Sequence, residues 1–240
     1  MAERSVKDLK INGVGQASGG AYRKIQSEGI ATLNGEITCE ALSGNGTLKI
    51  KGTLEAGEFS LNGTGSSDGA LRGGEFELDG MFKVSGDVRF SSLHVRGILK
   101  AGGAVIGETA KVDGVLKLEG GAEFEEAEVY GHLQVGGMLN AGKLTIDLNG
   151  PSHAKEIGGE LILVRQRKSK RLLDYLSPHW ASRLTAGVIE GDDLRLEGTK
   201  ADVVRGNSVV IGPGCEIGLV EYKEHYEVSP QASVGRAEQK

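Results

Sequence analysis

The chain has 240 residues and a formal net charge of −5, with 39 glycines, only 4 prolines and 5% aromatic residues. The glycine share is about twice the usual 7%, but glycine does not recur at every third position, which excludes a collagen-like triple helix. No run of 18 apolar residues and no signal-peptide pattern occur, two cysteines are too few for a disulfide framework, and the acidic balance argues against general binding of nucleic acid.

The first predicted element is an imperfect turn that follows a short tail, residues 1–8. Leu9-Lys-Ile11-Asn-Gly13 has the alternating apolar residues and the final glycine that mark the strands and corners of the later units. A repeating structure is therefore expected to begin close to Met1.

Glycine recurs at every seventeenth position through the middle of the chain. Equal steps of this length from Gly29 reach a glycine every time up to Gly131, and equal steps from Gly35 do so up to Gly137. Chance does not produce two such unbroken columns at this glycine frequency, so the period reflects a structural repeat. The regular units run from Gly29 to Asp147.

Apolar and polar residues alternate within each unit, as in Phe76 and Leu78 or Phe82 and Val84. This is the period-2 pattern of a strand with one buried face. Three such strands, separated by glycine corners, make one unit, which can bury its inward face only by stacking on copies of itself. The predicted fold is all-β: a single-stranded parallel β-helix of triangular section, in which one seventeen-residue unit makes one turn.

The repeat is predicted to continue beyond the regular units, so that the first part of the β-helix covers residues 9–164. Leu161 and Leu163 are assigned to two inward columns there. After a break, Leu194-Arg-Leu196-Glu-Gly198 restores the pattern, and the second part covers residues 184–235 with a tail at 236–240. The total is about a dozen turns.

One segment, residues 165–183, breaks the period with the sequence RQRKSKRLLDYLSPHWASR. Cations precede apolar residues spaced by four, which is one face of a helix, and Ser177-Pro178 fits a helix N-cap. Two short helices are predicted. Either this insert packs on the side of the β-helix with its charges solvated, or it contacts an anionic membrane or a partner. The residues of the second interpretation are Arg165, Arg167, Lys168, Lys170, Arg171, Leu172, Leu173, Leu176 and Trp180.

No catalytic residue, cofactor site or metal site is predicted, and no phosphate-binding glycine motif favours nucleotide-driven assembly. Two enzyme classes stay open as less favoured alternatives. The Asn/Asp column before the corner glycines, with Asn62 and Asp79, resembles the carboxylates of polysaccharide-active enzymes, although a turn role explains it. The stretch Val210-Ile-Gly-Pro-Gly-Cys-Glu-Ile-Gly218 resembles the hexapeptide repeat of acyltransferases, which need a histidine base.

Charge is expected to be segregated by face. One outward column reads Lys49, Ser66, Lys83, Lys100, Lys117 and Gln134. It either keeps the surface solvated or presents a basic face to an anionic partner. Acidic corners are predicted from Glu55, Glu58, Glu75, Glu108, Glu123, Glu125, Glu126 and Glu128.

The ladder of these units resembles the bactofilins, bacterial polymer-forming cytoskeletal proteins. The motifs that carry the resemblance are Phe76-Glu-Leu-Asp-Gly-Met-Phe82, Leu93-His-Val-Arg-Gly-Ile-Leu99 and Val112-Asp-Gly-Val-Leu116. The likeness covers residues 30–150 well and 185–235 more loosely, and the whole chain looks like the longer Gram-positive type. The resemblance implies a right-handed β-helix that polymerises end to end without nucleotide into non-polar filaments, often at the membrane.

The expected function is therefore that of a structural subunit and not an enzyme. It assembles with itself, or with a paralogous bactofilin, in the cytoplasm or at the inner face of the membrane. Exposed strand edges at both ends of a β-helix favour such assembly. The residues predicted for the polymer interface, in the terminal turns, are Leu9, Ile11, Val14, Ile211, Ile217, Val228 and Val234. A binding module with a basic face is the alternative from a different class.

Overall fold

The structure is a computed structural model that describes residues 7–166 and 182–240. These residues form twelve β-strands and contain no helix. The strands are β1 (Lys7–Lys51), β2 (Leu54–Ser67), β3 (Leu71–Val84), β4 (Val88–Ala101), β5 (Val105–Ile106), β6 (Thr109–Leu118), β7 (Ala122–Leu148), β8 (Ser152–Gln166), β9 (Leu184–Leu196), β10 (Thr199–Ile211), β11 (Glu216–Val228) and β12 (Ser233–Gln239).

Every strand pair is parallel, and the chain winds as one solenoid. The strands follow the order β1-β2-β3-β4-β5-β7-β8-β9-β10-β11-β12, with β6 paired to β4 and β7. Ile37 pairs with Leu54, Leu54 with Leu71 and Leu71 with Val88, so each regular turn has the seventeen-residue length of the glycine columns. The predicted parallel β-helix and its period are confirmed.

The core is a continuous column of apolar side chains inside the solenoid. In one turn the buried residues come in pairs, Phe76 with Leu78, Phe82 with Val84, and Val88 with Phe90. Each pair belongs to one straight side, and the longer steps between pairs are the corners, so the turn has three sides. The rings of Phe59 and Phe76 stack at a centroid distance of 4.9 Å, as identical positions do in successive turns.

One glycine column is required by backbone geometry. Gly80, Gly97 and Gly114 have φ of 135°, 138° and 145°, a region that side-chain-bearing residues rarely adopt. A Cβ at Gly97 would also fall inside van der Waals contact with the carbonyl oxygen of Gly80 in the turn below. Close stacking of corners therefore selects glycine in each turn from Gly29 to Gly131.

The inward assignment of Leu161 and Leu163 is wrong. Leu161 is 37% exposed, whereas Ile162 and Val164 are fully buried. The sheet register shifts between Val135 and Met138, and beyond that shift Lys143 pairs with Leu161, one position later than the regular period gives. One extra residue in the turn moves each following side chain to the other face, which exposes the residues that a strict period would bury.

Gln166 and Ser182, the described residues on either side of positions 167–181, lie at the same corner of the solenoid. Gln166 Nε2 donates a hydrogen bond to the Ser182 carbonyl oxygen at 3.0 Å, and Leu184 resumes the sheet beside Ser152. Arg165 belongs to β8, where it pairs with Asp147. The predicted helices fall on residues 167–181, which lie outside the described residues. At the far end the predicted tail 236–240 is largely part of β12.

Candidate interaction surfaces

A row of exposed lysines runs along one side of the solenoid. Lys83, Lys100 and Lys117 are direct neighbours in the sheet, and Ser66 separates Lys83 from Lys49. Successive turns lie about 4.8 Å apart, and like charges placed directly opposite one another are destabilising. No ion pair joins these four lysines, the lysine row, to any residue of the described ranges.

An outward column of apolar residues lies beside the lysine row. Met81, Ile98 and Val115 are sheet neighbours two residues before Lys83, Lys100 and Lys117. Met81 is 42% exposed, and Ile98 and Val115 are half-buried. These three residues form the apolar row. The sequence pattern does not reveal this row, because Thr47 and Thr64 occupy the same column in earlier turns.

Glutamates that carry no ion pair to another described residue collect at one corner. Glu58 and Glu75 are sheet neighbours, and the Glu125 amide donates a hydrogen bond to the Glu108 carbonyl oxygen at 2.9 Å. All four side chains are exposed. These residues form the acidic edge.

The other predicted acidic residues do not belong to this edge. Glu126 is paired with Lys143, and Glu128 lies beside Lys111 in the sheet. Glu55 and Glu123 lie on a different side, in a column that also contains Arg72 and Arg89.

The lysine row and the acidic edge face away from each other. Lys83 lies in the middle of the side that contains the buried Phe82 and Val84. Glu75 lies at the corner that joins the other two sides of the triangle, just before Phe76. In a three-sided turn that corner is across the molecule from the lysine side.

The last described turn has backbone groups without a strand partner. Strand β12 pairs with β11, and no described strand pairs with its outer edge. Residues 225–228 of β11 likewise pair with β10 alone. Val228 is 44% exposed, although Ile211 and Leu196 below it in the same column are fully buried. The last described turn therefore presents unpaired backbone groups and a partly exposed residue of the core column.

The predicted polymer-interface residues divide between the terminal faces and the interior. Val228 and Val234 lie in the last turn, whereas Ile211 and Ile217 are one turn further in. Both isoleucines are covered, Ile211 by Val228 and Ile217 by Val234, so they support the terminal turn and cannot touch a second subunit directly.

At the first turn, Leu9 and Ile11 are half-buried and buried respectively. Val14 is 81% exposed and directly follows the corner Gly13. Because Gly29 stacks on Gly13, Val14 occupies the same outward column as Ile30 and the apolar row. It therefore belongs to the side of the solenoid.

The Asn/Asp column at the corner carries an ion-pair cluster. Arg96 lies next to Asp79 in the sheet and bonds to it at 2.5 Å and to Glu77 at 2.6 Å. The hydrogen bond from Arg96 lowers the pKa of Asp79. A carboxylate held ionised in this way is unsuited to donate a proton as the general acid of a glycosidase, so the cluster fits the turn role.

The acyltransferase-like stretch also has a structural explanation. Cys215 is buried and its thiol donates to the Leu196 carbonyl oxygen at 3.2 Å, while burial raises its pKa to about 11. A thiol in that state is a poor nucleophile at neutral pH. Within the part of the chain that the structure describes, no group of three or more metal-ligating side chains occurs.

A groove with a volume of about 620 Å³ lies on the side of strands β8 to β11. Two of its cations are balanced by carboxylates: Arg205 and Lys240 both pair with Glu221, and Arg205 also lies near Glu190. The Asn207 amide donates to Asp192 at 2.7 Å. These groups satisfy one another, so none of them is free to select a ligand.

The predicted membrane contact residues, apart from Arg165, lie outside the described residues. Arg165 is exposed at the end of β8. Across residues 7–166 and 182–240, no helix is long and apolar enough to cross a bilayer.

Fold and surface together define the class: a single-chain parallel β-solenoid with open strand edges and charge separated by side. A protein of Bacillus subtilis (strain 168), described as uncharacterized protein YhbE, is 60% identical over 230 residues, which cover 95% of this chain and 96% of YhbE. The chain belongs to the YhbE family. It is also similar to uncharacterized protein YhbF of the same organism, 42% identical over 99 residues, 41% of this chain and 40% of YhbF.

No family model matches the chain, and no solved structure matches it. The resemblance to bactofilins therefore stays a prediction.

Proposed function

We propose that this protein is a non-enzymatic structural subunit that assembles end to end, without nucleotide, into bactofilin-like filaments or scaffolds. The terminal turn is the observation that supports this proposal. There the outer edge of β12 has no described strand partner, and Val228 is 44% exposed above a fully buried column. A turn from another subunit would complete both the sheet and the core column.

The interior of the solenoid supports this proposal, because neighbouring turns are already held together by the interactions that an end-to-end contact would need: backbone pairing and stacked apolar side chains. Leu196, Ile211 and Val228 stack in register, and backbone pairing between turns is independent of side-chain identity. An intersubunit joint needs only to repeat the joint between β10 and β11. Unpaired strand edges are known to recruit further strands.

Ultracentrifugation of the purified protein without nucleotide tests assembly directly. The expected result is a pelleted fraction that contains filaments in electron micrographs and is unchanged by added nucleoside triphosphate. A protein that stays in the supernatant as a monomer at all concentrations would contradict the proposal.

Two end variants test the location of the joint. Val228→Lys and Ile11→Lys place a charge on the last and the first turn, and burying an unpaired charge in a joint is costly. Both variants should stop filament growth while circular dichroism retains the β-sheet signal. Filaments of wild-type length from both variants would move the contact to the sides of the solenoid.

The same variants separate two kinds of end-to-end assembly. If the first turn binds the last turn, each variant alone stays monomeric and an equimolar mixture forms dimers. If like ends join, each variant alone forms dimers through its intact end. The second result is the one that the resemblance to non-polar filaments predicts.

The second candidate function, a binding module with a basic face, is favoured by the lysine row, whose charges have no described carboxylate partner. Such a protein would bind an acidic partner as a monomer. Sedimentation separates the two candidates, because only the filament subunit assembles when it is alone. Localisation in the cytoplasm or at the membrane is part of the first proposal, with the membrane reached through residues 167–181.

A further inference from the structure

The lysine row and the acidic edge carry opposite charges on opposite sides of one molecule. Each contains like charges in neighbouring turns about 4.8 Å apart, with one serine-bearing turn in each row: Ser66 follows Lys49, and Ser92 follows Glu75. Neither surface is ion-paired with a described residue. Stacked like charges repel in the isolated chain, so each surface gains stability when an array of opposite charges with the same spacing covers it.

The spacing of the two surfaces makes them complementary to each other. Both follow the same repeat, so when two solenoids lie side by side, one axial shift aligns several lysines with several glutamates at once. Lys83 and Lys100 would then face a pair such as Glu58 and Glu75, which are sheet neighbours as well. An acidic partner without this period would satisfy fewer lysines.

We propose that copies of this chain associate side by side, with the lysine row of one copy on the acidic edge of the next. Because the two surfaces face away from each other, each copy keeps one surface of each sign free and the contact propagates into a sheet or bundle. The apolar row beside the lysines is covered in the same contact. This lateral contact uses the sides of the solenoid and is separate from the end-to-end joint.

Zero-length crosslinking tests the contact. A carbodiimide joins a lysine amine to a carboxylate only where the two groups touch, and within one copy the lysine row and the acidic edge cannot touch. Crosslinked peptides that join Lys83, Lys100 or Lys117 to Glu58, Glu75, Glu108 or Glu125 are therefore intermolecular. These crosslinked peptides should form at about 20 mM salt. Their yield should fall at least tenfold at about 500 mM salt, where exposed ion pairs are screened.

Charge-reversal variants test the partner. Lys83→Glu/Lys100→Glu and Glu58→Lys/Glu75→Lys should each lose lateral association, measured as the width of assemblies in electron micrographs. An equimolar mixture of the two should restore it, because the reversed lysine row of one variant meets the reversed acidic edge of the other. Lys111→Glu/Lys155→Glu, with the same net change of charge away from the lysine row, should behave like the wild type.

Three results would overturn the proposal. One is a wild-type protein without lateral contacts at any salt concentration, and another is a lysine-row variant that bundles as well as its control. The third is a mixture that does not recover, which would assign the lysine row to an acidic partner other than this chain. Assembly length in the same micrographs reports separately on the end-to-end joint, so the two proposals can fail independently.

Discussion

Among single residues, the strongest constraint acts where successive corners approach each other. Gly97 has a positive φ and stacks directly on Gly80. Gly20 has a similar φ of 148°, but a Cβ there would meet no atom within 4 Å. The two positions therefore separate the cost of backbone conformation from the cost of close stacking.

Gly97→Ala should destabilise the protein much more than Gly20→Ala. The first variant combines a strained φ with a clash against the Gly80 carbonyl oxygen, and we expect a loss of more than about 3 kcal/mol. The second should lose about 1 kcal/mol, from the strained φ alone. Urea unfolding of both variants measures the difference. Equal losses would show that the turn spacing relaxes easily.

The two buried thiols should lower the free energy of unfolding at alkaline pH. Burial raises the pKa of Cys39 and Cys215 from 9.0 to about 11. Above pH 9 the unfolded chain releases these protons and the folded chain keeps them, so the free energy of unfolding falls as pH rises toward about 11. Melting temperatures between pH 8 and 11, for wild type and for Cys39→Ala/Cys215→Ala, measure this. A slope that the double variant does not flatten would assign the alkaline loss to other groups.

Among the strands, β8 and β9 pair as neighbouring turns although residues 167–181 lie between them in the sequence. The described residues on either side of positions 167–181 contact each other through the hydrogen bond between Gln166 and Ser182. Arg183 forms an ion pair with Glu216 at 2.8 Å. Strands β8 and β9 therefore form a parallel pair, as other neighbouring turns do.

Deletion of residues 167–181 should leave the solenoid folded, because Ser182 already lies beside Gln166 and can continue the turn. If this segment holds the protein at a membrane, the deletion should abolish cosedimentation with vesicles of anionic lipid, since each basic residue near such a surface contributes about 1 kcal/mol. Neutral vesicles are the control. Unfolding of the deletion variant would favour the interpretation that the segment packs on the solenoid, and equal vesicle binding with and without it would remove the membrane contact.

In the molecule as a whole, the strands run across the solenoid axis and the hydrogen bonds between turns run along it. About a dozen turns at about 4.8 Å each give an axial length of about 60 Å. End-to-end assembly preserves this direction, so a filament would be one continuous stack of turns.

Aligned filaments should therefore diffract with a meridional reflection near 4.8 Å and an axial repeat of about 60 Å, or twice that if like ends join. The physical reason is that the turn spacing and the subunit length both lie along the filament axis. X-ray fibre diffraction measures both spacings. A reflection at about 4.8 Å on the equator would mean that the solenoids lie across the filament, against end-to-end assembly.

The solenoid, its period and the identity of its core columns all follow from the order of the amino acids. A seventeen-residue repeat with glycine at every corner leaves few other ways to bury alternating apolar residues such as Phe76 and Leu78. The same rule misplaced Leu161 and Leu163, because an inserted residue in one turn is visible only when the neighbouring turns are paired.

Which charged residues share a surface, in contrast, depends on the folded chain. Glu75 and Glu126 look alike in the sequence, yet Lys143 neutralises Glu126 and not Glu75. Likewise Val228 and Ile211 occupy one column. Val228 is exposed and Ile211 is not, because no described strand covers Val228. A one-dimensional period fixes which side of a strand a residue occupies, whereas contacts across turns and around the triangle form only when the chain has wound into its solenoid.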